Sequence, residues 1–157
     1  MTFSEIMLLL FVMNLGVALG AGIYETFVVL PLWFQKTPQG YRVDVQAMQK
    51  IDTGRKFWGF VTTIPLTLLT IVNLFIAWHS TGPNDDFYLA ALLITLAERI
   101  ATFAFFIPIA IKLQKSESLA SSKTSRLISR WKTLNYGRLF LTLVGWLAAL
   151  FAFSSAI

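Results

Sequence analysis

The sequence predicts an all-α fold, a four-helix transmembrane bundle with short amphipathic helices on one membrane surface, and three observations carry that prediction. The 157 residues are 56% hydrophobic and 15% aromatic with only 13% charged, too apolar for an ordinary soluble domain. Four segments are long enough to cross a bilayer, given that a helix needs about 20 mostly apolar residues to span roughly 30 Å of hydrocarbon. The basic residues gather in two of the three connections. Residues 1–157 therefore read as a single four-span membrane domain.

Span one is expected over about residues 6–34. Met1-Thr2-Phe3-Ser4-Glu5 offers no basic n-region and the apolar stretch outruns an h-region, so it reads as a retained span and not a cleaved signal. Asn14, Ala18, Ala21 and Glu25 fall on one helical stripe, and Gly16, Gly20, Ala21 and Gly22 make a small-residue surface suited to close helix packing. The following loop carries Lys36, Arg42, Lys50, Arg55 and Lys56, with Val43, Ala47, Met48 and Ile51 spaced as the apolar face of a surface helix. Span two, about 57–78, aligns Thr63, Thr67, Thr70 and Asn73, and Pro65 should kink it. A short turn, His79 to Asp86, has no basic residue.

Span three, about 87–111, presents Thr95, Glu98, Arg99 and Thr102 and contains Pro108, a second expected kink. The next connection bears Lys112, Lys115, Lys123, Arg126, Arg130 and Lys132, a serine-rich piece from Ser116 to Ser125 that reads as a solvated linker, and a second amphipathic stripe at Leu127, Trp131 and Leu134. Span four, about 133–156, aligns Asn135, Arg138, Thr142 and Gly145. Trp33, Trp58, Trp78 and Trp131 lie at span ends, where indole rings serve as interfacial anchors.

Eleven of the thirteen basic residues lie in the two basic loops, which the positive-inside rule makes cytoplasmic, leaving both termini extracytoplasmic. Most of the net charge of +5 is thus an orientation signal, with anionic lipid headgroups as the expected contact and nucleic acid not expected as a partner. No cysteine is present, so no disulfide, thiolate ligand or thiol redox chemistry is available. The lone His79 reads as a solvated cap, no ligand spacing, phosphate-cradling loop, dinucleotide fingerprint or nucleophile elbow is seen, and neither metal nor cofactor is expected.

Within the spans stand two acids, Glu25 and Glu98, and two bases, Arg99 and Arg138. Charges at membrane depth are functional-site candidates, because each is costly unless partnered. Glu98 and Arg99 are about 100° apart around a helix, so each is expected to seek a different partner. The expected pair is Glu25 with Arg99. Arg138 is left to reach a carboxylate, the surface or a ligand anion, and Glu98 is the least compensated charge and a candidate proton acceptor.

The stretch Gly20-Ala21-Gly22-Ile23-Tyr24 with Pro31 beyond it, then Phe106-Ile107-Pro108, a basic segment and Trp131-Lys132-Thr133-Leu134-Asn135-Tyr136-Gly137-Arg138, resembles the anthrone-oxygenase-like family of small four-span membrane proteins over nearly the whole chain. The resemblance implies a four-span fold and, for the enzymatic members, oxidation of anthrones to anthraquinones by molecular oxygen with no known cofactor; most members have no established activity. It carries over Trp131, Asn135 and Arg138. Two positions depart from it: Val29-Leu30 is apolar where relatives are often polar, and Ala110 stands where asparagine is frequent.

Two functional classes follow. In the first, Glu98, Glu25, Arg99 and Arg138 act on a hydrophobic aromatic substrate in a cofactor-independent oxygenase, with Asn135, Trp131, Tyr24, Asn14 and Asn73 as substrate contacts. In the second, the chain is a non-catalytic accessory or assembly subunit with a protein partner, or a binder of a lipid-like ligand. That class expects the charges to pair fully and no cavity to reach Glu98. Proton transport has less support, because repeats and a row of carboxylates across the membrane are lacking.

Overall fold

A computed structural model of the chain describes residues 1–79, 85–115 and 122–156. Helix α1 (Phe3–Tyr24) runs through a π-helical segment, π1 (Glu25–Val29), into α2 (Leu30–Trp33). A hairpin of β1 (Phe34–Thr37) and β2 (Gly40–Val43) and a short helix α3 (Val45–Ile51) lead to π2 (Gly54–Thr63) and α4 (Ile64–Trp78). Helix α5 (Asp85–Ala101) continues through π3 (Thr102–Phe106) into α6 (Ile107–Gln114), and α7 (Ser122–Ala156) closes the chain.

Four helical stretches are long and apolar enough to cross a membrane: Phe3–Trp33, Gly54–Trp78, Asp86–Gln114 and Ser122–Ala156. In the order of their contacts they form a four-sided bundle, with span one against spans two and four, and span three against the same two. The expected order of spans holds. The fourth helix, however, begins at Ser122 and is continuous, so Leu127, Trp131 and Leu134 belong to the spanning helix and not to a separate surface helix. Part of the expected serine linker is therefore helical; its residues 116–121, like 80–84 of the short turn, lie outside the described residues.

The three prolines within spans have a common solution. Proline cannot donate to the carbonyl four residues back, and its ring clashes with that carbonyl. Pro31, Pro65 and Pro108 each open an α-helix immediately after a π segment. In each case the preceding residue donates five residues back: Leu30 to Glu25, Ile64 to Gly59 and Ile107 to Thr102. One freed carbonyl, that of Val61, accepts from Asn14 Nδ2 on span one at 3.0 Å. The widened turns face one another at the end of the bundle that carries the basic loops, here called the basic end.

Burial divides the interior into two apolar cores. Far from the basic loops, Phe11, Leu15, Leu66, Leu92 and Ala149 interlock; at the basic end, Leu30, Trp33, Phe34, Met48, Leu113, Ile128 and Trp131 do so. Trp33 and Trp131 are each only 4% exposed, which corrects the expectation that they anchor at the interface; Trp78 stays exposed. The hairpin caps the basic-end core: Tyr41 N donates to Ser125 Oγ at 3.0 Å, and the Lys132 ammonium lies 4.6 Å from the Tyr41 ring centroid. Gly40 makes this possible, since its φ is +126° and a Cβ there would collide with Ser125 Oγ.

The threonines of the polar stripes are satisfied within their own helices. Thr67, Thr70, Thr95 and Thr142 each donate to the carbonyl four residues back on their own helix. Asn73 Nδ2 donates to Leu69 O and Met7 O, and its Oδ1 accepts from Tyr88 Oη. Of the small-residue surface, Gly16 and Gly22 admit the Trp146 and Leu139 side chains of span four, while Gly20 meets nothing.

Candidate functional site

Between the two cores lies a buried polar layer containing all four intramembrane charges. Glu25 opens π1 and is 5% exposed. Its Oε1 accepts from Trp58 Nε1 and Thr53 Oγ1, both at 2.7 Å, so π2 and the residue before it reach across to span one. Its Oε2 lies 3.6 Å from Arg138 Nη2. Arg138 donates from Nη2 to Asn135 Oδ1 at 2.8 Å, and its guanidinium stands 4.6 Å from the Phe106 ring centroid and 5.6 Å from that of Trp58. Asn135 Nδ2 in turn donates to Thr26 Oγ1 at 2.8 Å. This chain of contacts binds spans one, two and four around one carboxylate.

Glu98 and Arg99 make the second pair. Arg99 Nε donates to Glu98 Oε2 at 2.6 Å, Nη2 contacts the same oxygen, and Glu98 Oε1 accepts from Thr102 Oγ1 at 3.1 Å. This overturns the expected Glu25–Arg99 pair and the expectation of an uncompensated Glu98. The reason is physical: Glu25 is occupied from spans two and four, and a buried charge left without a partner costs more than curling a guanidinium back over its sequence neighbour.

A cavity of about 240 Å³ opens from this layer toward the basic end. Spans two and three pack along α4 and α5 and diverge beyond the prolines, so the cavity lies between π2 on one side and π3 and α6 on the other. Glu25, Arg99 and Arg138 stand among its lining residues, as do the rings of Trp33, Trp58, Phe106 and Trp131. Ile107 and Ile111 line it too and are exposed on the bundle's outer face. A smaller void of about 10 Å³ touches Glu98, Arg99, Asn135 and Arg138. One water needs about that much space and several polar partners.

The nine predicted site residues divide accordingly. Glu25, Arg99, Arg138 and Trp131 line the cavity; Glu98 and Asn135 lie behind it, on the small void. Tyr24 is 61% exposed on the outside of the bundle, and Asn14 and Asn73 serve backbone carbonyls away from the cavity. Ala110 sits in the wall, so the apolar departure falls on the site itself, whereas Val29 and Leu30 are buried in the basic-end core. Sequence reasoning missed Thr53, Trp58, Phe106 and Trp33. Thr53 carries no signal, since it acts from a connecting segment, and the two tryptophans were read as anchors.

The family model described as anthrone oxygenase matches residues 52–148. The match takes in π2, π3, Glu98, Arg99, Trp131, Asn135 and Arg138 and leaves Trp33 and Glu25 outside it. No curated protein and no solved structure matches the chain.

Proposed function

Because the chain belongs to the anthrone oxygenase family, we propose that it is a membrane oxygenase that oxidises a hydrophobic aromatic, anthrone- or quinol-like substrate with molecular oxygen and without a resident cofactor. The observation that carries this reading is the cavity with aromatic walls lined by a carboxylate, Glu25, paired with the Arg138 guanidinium, and by Arg99. A flat substrate dissolved in the bilayer enters between spans two and three, where Ile107 and Ile111 form an apolar threshold. Glu25 Oε2, the oxygen with the weaker hydrogen bonding, takes a proton from the acidic ring CH₂. Arg138 and Arg99 stabilise the oxyanion that forms, acting in a site largely closed to water. The resulting carbanion passes its electrons to oxygen and forms a carbon–oxygen bond; loss of water from the hydroperoxide leaves the ketone. The balance is CH₂ + O₂ → C=O + H₂O, with the proton on Glu25 returned to the departing water. Glu98 moves from candidate base to positioning residue, since it holds Arg99.

The eleven basic residues of the loops favour the cytoplasmic side for this end of the bundle, against anionic headgroups, with both termini outside. A second reading, the non-catalytic subunit, draws on the pairing of every intramembrane charge. Oxygen uptake separates the two. Purified protein supplied with anthrone should consume oxygen and release anthraquinone, and Glu25→Gln should slow this by about 10²-fold or more, the usual worth of a positioned base. Folded wild-type protein that leaves the spontaneous rate unchanged across a panel of anthrones, and carries a stoichiometric protein partner when gently solubilised, would favour the second reading.

A further inference from the structure

The eleven basic residues at one end of the bundle are not equivalent once the contacts of each are traced. Several in the first connection are engaged by the protein itself: Arg42 donates to Gln35 Oε1 at 2.7 Å, Arg55 lies 3.7 Å from Asp52 Oδ2, and the Lys56 ammonium donates to Lys50 O at 3.0 Å. Asp44 and Asp52, the acids of the described basic end, belong to that same connection, and Glu117 falls outside the described residues. Helices α6 and α7 carry no acid. Their Lys112, Lys123, Arg126 and Arg130 are exposed and, among the described residues, take part in no ion pair.

These charges form an ordered stripe. On α7, Lys123, Arg126 and Arg130 follow one another at steps of three and four, and the same steps continue to Leu134, Gly137 and Leu141, all of them exposed. The stripe turns from basic to apolar between Arg130 and Leu134, so the hydrocarbon boundary falls there. On the neighbouring helix, α6 carries Lys112 in its last turn, and Ile109 one turn before it packs with Leu127 of α7 against the basic-end core. The Arg130 guanidinium bridges the two spans, standing over the Phe105 ring 5.6 Å from its centroid. A guanidinium stacked on a ring keeps its N–H edge free, and that edge matches a phosphate through two parallel hydrogen bonds.

We propose that the outer groove between α6 and α7 at the basic end binds one anionic phospholipid of the surrounding bilayer. Arg126 and Arg130 hold its phosphate, and Lys112 closes the site from the α6 side. An acyl chain follows the apolar continuation of the stripe past Leu134 and into the space beside Gly137, where even a Cβ would meet nothing. Charge complementarity selects the occupant: a headgroup of net negative charge neutralises an acid-free cluster, whereas the choline of a zwitterionic lipid returns a positive charge to it. The groove lies on the span-four side of span three and the cavity on its span-two side, so the lipid site stands whether or not the chain is an oxygenase.

The test titrates the full-length protein in detergent micelles with phosphatidylglycerol or with phosphatidylcholine of the same acyl chains, and counts bound lipids by native mass spectrometry. Wild-type protein should hold one phosphatidylglycerol in clear preference to phosphatidylcholine. Arg126→Gln/Arg130→Gln should weaken that binding about 25-fold, taking about fivefold for each charge near an anionic headgroup. Arg126→Lys/Arg130→Lys keeps both charges and should stay within about fivefold of wild type. Lys36→Gln/Lys50→Gln removes the same charge from the first connection and should bind as wild type does. Equal losses in the two glutamine variants would reveal general attraction to the basic end and overturn the site. So would a wild-type protein with no preference between the two lipids, unchanged binding in Arg126→Gln/Arg130→Gln, or displacement of the lipid by inorganic phosphate alone.

Discussion

Arg138 is the residue on which most contacts converge: an asparagine oxygen, a carboxylate and two ring faces. Removing one member of a buried pair leaves the other charge uncompensated, at a cost of about 3–5 kcal/mol. Arg138→Met should therefore lower stability by that order, read as the shift in a detergent unfolding midpoint. The double variant Glu25→Gln/Arg138→Met should recover most of the loss. Additive losses would mean that the two groups do not act as a pair. The residue types were legible in the sequence, because four ionisable groups among apolar neighbours stand out by cost alone. Their partners were not. Pairing depends on how the spans sit against one another, and it is Arg138 on span four, not Arg99, that stands within reach of Glu25. Thr53 had no chance of being seen, since its role depends on a connecting segment folding back over span one.

At the scale of elements, each proline was readable as a local disturbance, but not the form it takes. A kink and a π turn both relieve the clash, and which one forms depends on whether neighbours can satisfy the freed carbonyl. For Pro65 that neighbour is Asn14. Asn14→Leu should destabilise the protein by about 1–3 kcal/mol, the penalty for a carbonyl left unsatisfied. The same substitution in a Pro65→Ala background should cost less, because the alanine N–H can donate the ordinary helical bond to the Val61 carbonyl. A double-mutant cycle on thermal midpoints reads the difference, and equal costs in both backgrounds would show that Asn14 does not serve that carbonyl. The hairpin went unread because its strands are four residues each and only partly apolar, too short for alternation to register. Gly40 is its most sensitive point. Gly40→Ala should lower stability by more than about 1 kcal/mol, and Ser125→Ala should restore only part of it, since space returns but the strained φ does not. Full rescue, read on the same midpoints, would mean the contact alone matters.

For the whole molecule, the four-span bundle followed from hydropathy and charge, which depend on composition over windows and so survive errors in local detail. Orientation is open to direct measurement because the chain has no cysteine. The single variants Ser4→Cys and Lys123→Cys should be labelled by a membrane-impermeant maleimide from opposite sides, the second only when the cytoplasmic face is accessible. Labelling of both from the same side would contradict an odd number of crossings between them. The arrangement of the two ion pairs also bears on how the chain enters a membrane at all. A charge at the centre of an inserting helix costs about 2.5–3.5 kcal/mol. Span three carries two such charges, but Glu98 and Arg99 neutralise each other within one helix, so it can partition into lipid before any neighbour arrives. Span one likewise needs only span two, whose Trp58 and the adjoining Thr53 meet Glu25. Arg138 finds its carboxylate on span one, which is synthesised before span four, so Glu25 is already in place to receive it.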